Sequence, residues 1–470
     1  MSRRRAGPMA CFAFAAAFFA AFLQTQTRAG APSPASRPQT QASVDRVQTP
    51  LGTAWRVAAD DPNGQGTPWG QALSPDGRHV AFFMIRDARP GEYLKMRNDL
   101  VVCSTDGNSR WTALDGIPNN CAKMHLVPRI VWSADGNGLC CVNNESPTGM
   151  GPVRLWWIDV PSRKARDLGT FLKDLTYVVM RVALGPDGRS VVLASSDHRL
   201  HQVDTGHNFF PIVIVGPDGN EVRTKENYKD ALASPLGGLV AGIQLVKHEL
   251  HRISPSGEAN MLYAFDKGQF TVRVHLAGET GNVLLVTGGN MDRRAWKPMI
   301  GFRNEPVFTV RLIAPEGNSV VVQEKALQDS IVPLPQDDTV LVAETEKPYV
   351  QHPFAGTREE LDLTGPLRAM PGPSAKCPYA VLQPVKDLGG GRMEVQSDQT
   401  FILNWKTRKV HTLKDRPFDD VRLPASWSED GKWLAFSRAP GKGEPVPVPR
   451  LVDPPYEFTA GEIWVLRLGE

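Results

Sequence analysis

Short unbroken apolar runs, cut by polar turns, recur along most of the chain. Val80 to Ile85 and Val283 to Val286 are apolar at every consecutive position. Strict alternation would mark a strand with one wet face, whereas continuous runs predict strands covered on both faces. The turns repeat as well. Residues 72–85 read Ala-Leu-Ser-Pro-Asp-Gly-Arg-His-Val-Ala-Phe-Phe-Met-Ile, and residues 131–142 read Val-Trp-Ser-Ala-Asp-Gly-Asn-Gly-Leu-Cys-Cys-Val. Residues 182–194 and 425–436 carry the same pattern around Asp187-Gly188 and Asp430-Gly431. Proline presets φ at the first corner, Asp hydrogen-bonds its own backbone, and Gly takes the position with positive φ. Each copy therefore predicts two strands joined by a tight turn.

Degenerate copies fill the gaps at Ser234–Gly238, Gly278–Gly281, Pro335–Asp338 and Gly372–Lys376. Eight turns between Asp76 and Asp430 are spaced by about 51 residues, the period of a four-stranded propeller blade with long loops. Third strands follow, such as Leu100–Cys103, Ile212–Val215, Leu250–Ile253 and Val310–Ile313, each ending in a further tight turn. The last repeat offers three strands, around Trp427, Leu434 and Trp464. Its fourth is expected from Thr53–Val57, which would close the ring and hide both end edges. The expected fold is all-β: a single β-propeller of four-stranded blades over residues 45–470. Eight blades are expected. Seven follow if residues 330–415 form one blade with a large insertion, and six remain open.

The Ser-Pro-Asp-Gly-Arg/Lys turn followed by Val/Leu-Ala-Phe resembles the TolB-type, WD-like propeller repeat of exported bacterial proteins. The resemblance covers most of the chain, strongly in blades one, two, three and eight, and implies kinship of repeat. TolB itself adds an N-terminal α/β domain, for which residues 45–70 leave no room. Propellers with similar repeats also occur fused to serine peptidases of the prolyl oligopeptidase kind. Such a partner needs a Gly-x-Ser-x-Gly elbow, which this chain lacks. The fold is also similar to that of oligogalacturonate lyases, which imply a histidine-bound metal in the central channel. None of their ligands aligns with a residue here.

In a four-stranded blade the first-to-second and third-to-fourth turns share one rim. That set is uniformly tight here. The opposite rim takes the long connections, residues 86–98, 143–152, 287–306, 385–398 and 438–461, and residues 351–372 read as an insertion in blade six. Loops on a rigid scaffold concentrate binding residues. Two of these loops mix cations with aromatics: Arg86, Arg89, Tyr93, Lys95 and Arg97 in one, and Arg293, Arg294, Trp296, Lys297, Phe302 and Arg303 in the other. They suit an anionic glycan or an acidic protein surface, although loop charge of this kind is most often simply solvated.

Composition narrows the classes. The 42 glycines and 39 prolines of this 470-residue chain argue for frequent turns and against a helical bundle. Arg3-Arg4-Arg5 precede an apolar run from Met9 to Leu23, too short to span a bilayer but suited to a signal peptide. Cleavage after Ala29 is expected, with an uncleaved anchor as the alternative and residues 30–44 as a flexible tether. Loss of Arg3, Arg4, Arg5 and Arg28 takes the formal charge from +3 to −1. Nucleic acid is therefore not an expected partner. The expected location is periplasmic or extracellular, and the expected state a monomer without a transmembrane span.

No catalytic, cofactor-binding or metal-ligating set emerges, and no cofactor is expected. There is no phosphate-binding loop and no dinucleotide fingerprint, and Asp61–Gly66 lacks the distal Glu of a calcium loop. His248 and His251, placed in one strand, would face opposite ways, as would His198 and His201. His275 belongs to an inner strand, His125 lies just before one, and His352 falls in the blade-six insertion. Of the five cysteines after the leader, one bridge among Cys103, Cys121 and Cys140 or Cys141 is open in an oxidising compartment. Burial as small apolar residues is the simpler expectation. The leading functional reading is an exported, non-catalytic propeller binding a protein or glycan through its long-loop rim. The alternative is a metal-dependent polysaccharide lyase with a channel site. The question of enzyme activity stays open, leaning against it.

Overall fold

The computed structural model describes residues 45–59, 66–86, 97–118, 129–145, 152–173, 178–196, 210–228, 230–238, 240–244, 247–265, 270–277, 281–288, 308–326, 331–335, 338–343, 345–387, 393–396, 398–438 and 461–469. The predicted leader and tether lie outside them. Among the described residues no helix is long and apolar enough to cross a membrane.

The strands form eight antiparallel sheets, the blades of one propeller. Blade 1 comprises Thr67–Leu73, His79–Arg86, Arg97–Ser104 and Arg110–Pro118. Blade 2 comprises Arg129–Trp132, Gly138–Asn144, Val153–Asp159 and Lys164–Phe171, and blade 3 Val178–Leu184, Val191–Ser196, Phe210–Val215 and Glu221–Tyr228. Blade 4 runs through Asp230–Ala233, Val240–Gln244, Glu249–Ile253 and Ala259–Ala264, and blade 5 through Phe270–Ala277, Asn282–Gly288, Phe308–Ile313 and Ser319–Ala326. Blade 6 holds Ile331–Pro333, Val340–Val342, Tyr349–His352 and Thr357–Glu360. Blade 7 holds Leu367–Pro371, Tyr379–Asp387, Thr400–Asn404 and Lys409–Leu413, with Met393–Val395 added beside its second strand. The first strand of each blade is innermost, and successive first strands sit side by side around the axis.

Blade 8 contains Val421–Trp427, Trp433–Arg438 and Glu462–Leu468, and its fourth strand is Gly52–Ala58 from the other end of the chain. Thr53 pairs with Arg467 and Trp55 with Val465. The ring closes as the sequence predicted. An unforeseen fifth strand, Arg46–Thr49, pairs outside Gly52–Ala58, with Arg46 opposite Trp55.

The unbroken apolar runs are explained by where alternate residues go. Val80, Phe82 and Met84 pack against Ala435, Ile463 and Val465 of blade 8. Their neighbours Ala81 and Phe83 pack against Leu139, Cys141 and Trp156 of blade 2. Consecutive residues of one strand thus feed two different cores. Eight apolar clusters follow among the described residues, one at each blade interface.

All eight predicted turns join first to second strands. In blades 1, 2 and 8 a serine caps the turn. Ser133 Oγ donates to Asp135 Oδ1 (2.6 Å) and accepts from the Gly138 N–H (2.9 Å). Ser74 bonds Asp76 and the His79 N–H likewise, and Ser428 bonds Asp430 and the Trp433 N–H. Burial pulls the Asp135 carboxyl upward, but hydrogen bonds from Ser133 and Asn137 and the nearby Arg189 outweigh it and hold it below its ordinary value.

Three expectations need correction. Residues 330–415 make two blades, so the seven-blade alternative fails. Residues 351–372 are no insertion: they supply the end of the third strand and the fourth strand of blade 6, then the first strand of blade 7. Their weak hydrophobicity misled, because Thr357–Glu360 is an exposed outer strand with no second sheet to cover it. His352 accordingly belongs to a regular strand.

Candidate functional site

The two rims are built from different chemistry. At the tight-turn rim the buried polar side chains are mainly hydroxyls, among them Ser74, Thr105, Ser133, Ser190, Ser374 and Ser428. Among the described residues the buried charged side chains, Asp99, Arg438 and Glu462, sit at the opposite strand ends, and buried His251 lies mid-strand.

In blade 1, Arg86 ends the second strand and pairs with the buried Asp99 and with Asp115 (3.2 Å). Asp99 also accepts the Gly116 N–H (2.9 Å). Burial nevertheless raises its carboxyl above the ordinary value. Arg86 is therefore committed to holding the loop base, contrary to the expectation of solvated charge. Arg97 sits opposite it in the ladder and is exposed.

Between blades 3 and 4, His251 is clasped from both sides. Its Nδ1 meets Tyr228 Oη at 3.1 Å, and its Nε2 meets Glu249 Oε2 at 2.7 Å. Glu226 lies 3.7 Å from Nδ1 and accepts from Lys247, which holds its carboxyl low. Burial, reinforced by the Glu226 and Glu249 charges, pushes the Tyr228 hydroxyl well up, so it stays a neutral phenol. His248 precedes the strand, at φ 58°, and its ring meets Phe265 edge-on. The histidine pair is not in one strand as expected, yet its members do face separate neighbours.

Blade 8 carries the largest ionic network among the described residues. Glu462 Oε2 accepts from Trp464 Nε1 (2.8 Å) and Arg438 (3.0 Å), and its Oε1 accepts from Arg56 (2.7 Å) and Arg416 (3.4 Å). Arg438 also forks onto both oxygens of Asp419 (2.7 and 2.8 Å). That fork holds the Asp419 carboxyl low, while the same bonds raise Arg438. Arg56 adds Asp45 at 2.7 Å. The network ties both ends of the chain together across the closing strand pair.

The channel differs again. At its tight-turn end a cavity of ≈ 320 Å³ is walled by Leu73, Ile130, Trp132, Leu184, Leu236 and Trp427, among others from six blades. Ser234 and Ser426 also line it, and no His, Cys, Asp or Glu side chain does. His275 lies on an innermost strand, as expected. Among the described residues no group of three or more His, Cys, Asp or Glu side chains could hold a metal ion. His352 Nδ1 instead meets Thr339 Oγ1 (3.2 Å), with Asp338 3.6 Å away. Cys103, Cys140, Cys141 and Cys377 are buried and free. Burial pushes Cys103 and Cys377 up to about 12 and Cys140 and Cys141 higher still, so all four remain inert thiols.

Cys121, His125, His198, His201, Arg89, Tyr93, Lys95, Arg293, Arg294, Trp296, Lys297, Phe302 and Arg303 lie outside the described residues. So do Asp61 to Gln65 and most of the five long connections. The Tyr228–His251 clasp and the Glu462 network escaped the sequence reading. Glu249-x-His251 and Glu462-x-Trp464, each two residues apart in a strand and so on one face, left a local trace.

Solved structures share a distant likeness with the chain. The chain is similar to an oligogalacturonate lyase from Vibrio parahaemolyticus, at 10% identity over 92% of this chain and 99% of that one, with a TM-score of 0.49. It is similar to an oligogalacturonate lyase in complex with manganese, at 11% identity over 93% and 99%, with a TM-score of 0.48. The β-propeller domain of the Trilobed protease from Pyrococcus furiosus matches at 11% identity over 75% and 97%, with a TM-score of 0.39. No protein-family model matches the chain, and no curated protein does. The sheet topology by itself defines the class, an eight-bladed β-propeller, and no family model bears on the TolB-type resemblance of the turns.

Proposed function

We propose that this chain is an exported binding propeller that takes a protein or glycan partner on its long-loop rim, without catalysing a reaction. One observation carries the reading: long connections and buried charged clusters share one rim of a rigid ring. Clusters such as Arg86–Asp99 and Arg438–Glu462 fix the strand ends from which those connections leave. Binding residues concentrate on loops that a scaffold positions in this way. Because these charges already satisfy one another, they suit anchoring rather than acid–base chemistry. Export follows from the Arg3-Arg4-Arg5 and Met9–Leu23 leader.

The test compares residues 30–470 with a variant whose residues 289–307 are replaced by a short Gly-Ser turn. Both are immobilised against a panel of anionic and neutral glycans and against exported proteins of the source cell. Capture by the parent, lost in a variant of unchanged melting temperature, supports the reading. Equal capture by both removes that loop from the surface. Turnover of a uronic-acid polymer by the parent with added divalent cations would replace the binding reading with the lyase.

A further inference from the structure

The plain rim carries a cleft of its own. All four tight turns of blades 1 and 2 converge on a cavity of ≈ 250 Å³ lined by Arg78, His79, Ser109, Trp111, Asn137 and Arg163, with Asp76 at its edge. We propose that this cleft is a binding site for a small oxyanion, a phosphate or carboxylate group held between Arg78 and Arg163.

Three observations support it. The first is the backbone at Arg163, where φ is 55°. The corresponding third-to-fourth turns of blades 1, 3, 4, 5 and 6 place Gly107, Gly219, Gly257, Gly317 and Gly356 at that left-handed position. Glycine is the residue that position favours, and a side chain there is strained. Only blades 2 and 7 use arginine, and in blade 7 Arg408 uses its side chain to pair with Glu359 of blade 6 at 2.9 Å. Arg163 makes no ion pair among the described residues and instead lines the cleft.

The second is Arg78. Its counterpart in blade 3, Arg189, reaches back to Asp135 of blade 2 at 3.1 Å. Arg78 remains 79% exposed and comes no nearer than 3.7 Å to Asp76. The Asp76 carboxylate is already engaged by Ser74 Oγ and the Arg78 N–H. The third is His79, whose Nδ1 is buried without a hydrogen-bond partner while its ring stacks on Trp132. With its proton on Nδ1, His79 would join the two guanidinium groups that line the same cleft in the donor set of an oxyanion site.

The test measures the melting temperature of the full mature chain in rising inorganic phosphate or acetate, with chloride at matched ionic strength as the reference. Phosphate, acetate or both should raise it in the parent, since a ligand that binds only the native state stabilises it. The more effective of the two identifies the group. Arg163→Gly should bind about tenfold more weakly, the loss expected for one charge-assisted contact. Its ligand-free melting temperature should equal or exceed that of the parent, because glycine relieves the turn. Arg408→Gly should leave the anion response intact. A parent that responds to neither anion beyond chloride, or an Arg163→Gly variant with the parent's full response, overturns the proposal.

Discussion

The two rims of this propeller show how one scaffold divides stability from recognition. At the tight-turn rim blades 1, 2 and 8 are each pinned by a local device, a serine bonded to an aspartate two residues on and to an N–H five residues on. The partners in these caps are close in sequence, and exposed pairs between blades, such as Arg189 with Asp135, add to them. At the opposite rim the charged groups share partners, and one network spans the chain: Arg56 meets Glu462 across 406 residues, and the buried Arg438 meets the same carboxylate. Local devices tolerate loss one at a time, whereas a shared ionic network fails as a unit.

The sharpest way to break the comparison is at Glu462. Glu462→Ala would leave Arg438 buried with half its carboxylate partners gone, a change expected to destabilise by about 3–5 kcal/mol. Urea unfolding should show it as a lower midpoint with an unchanged slope. The same network predicts acid sensitivity. Burial alone would raise the Glu462 carboxyl, but hydrogen bonds from Trp464, Arg56 and Arg438 outweigh it and leave it below 4.5. A depressed carboxyl gives stability that is present above its unfolded value and lost as pH falls through the folded one. The melting temperature should therefore drop as pH falls below 4.5, and Glu462→Gln should flatten that slope.

Smaller effects follow at the other rim. At Gly77, with φ 72°, a Cβ would overlap the Trp433 ring, so Gly77→Ala opposes both backbone and packing. A loss of about 2 kcal/mol is expected in the same unfolding experiment. Ser133→Ala removes the buried cap of one turn and should cost about 1–2 kcal/mol, affecting blade 2 alone in hydrogen exchange. Arg189→Ala, an exposed partner of Asp135, should change stability by less than about 1 kcal/mol. If the serine cap proved as damaging as Glu462, the contrast between local and shared stabilisation would collapse.

The legible part of the molecule is the part that repeats. Asp-Gly turns and double-faced apolar runs announced the blades, and even the degenerate turn at Gly372–Lys376 fell in its true place. Blade 6 was misread where it is least apolar. Its outer strand, Thr357–Glu360, has no burial to write into its residues. Of the candidate loop cations, Arg86 was noticed, but its buried partner Asp99 lay unremarked in the next strand.

Sequence by itself determined the architecture of this protein, since turn chemistry and strand burial are local properties that each blade must carry in its own residues. Tertiary structure alone decided the sites. The Tyr228–His251 clasp, the Glu462 network and the Arg78–Arg163 cleft each join different strands, and most join different blades. Blade-to-blade contacts leave no local periodicity, because the residues that meet are tens to hundreds of positions apart. Stacking the blades and closing the ring bring them side by side.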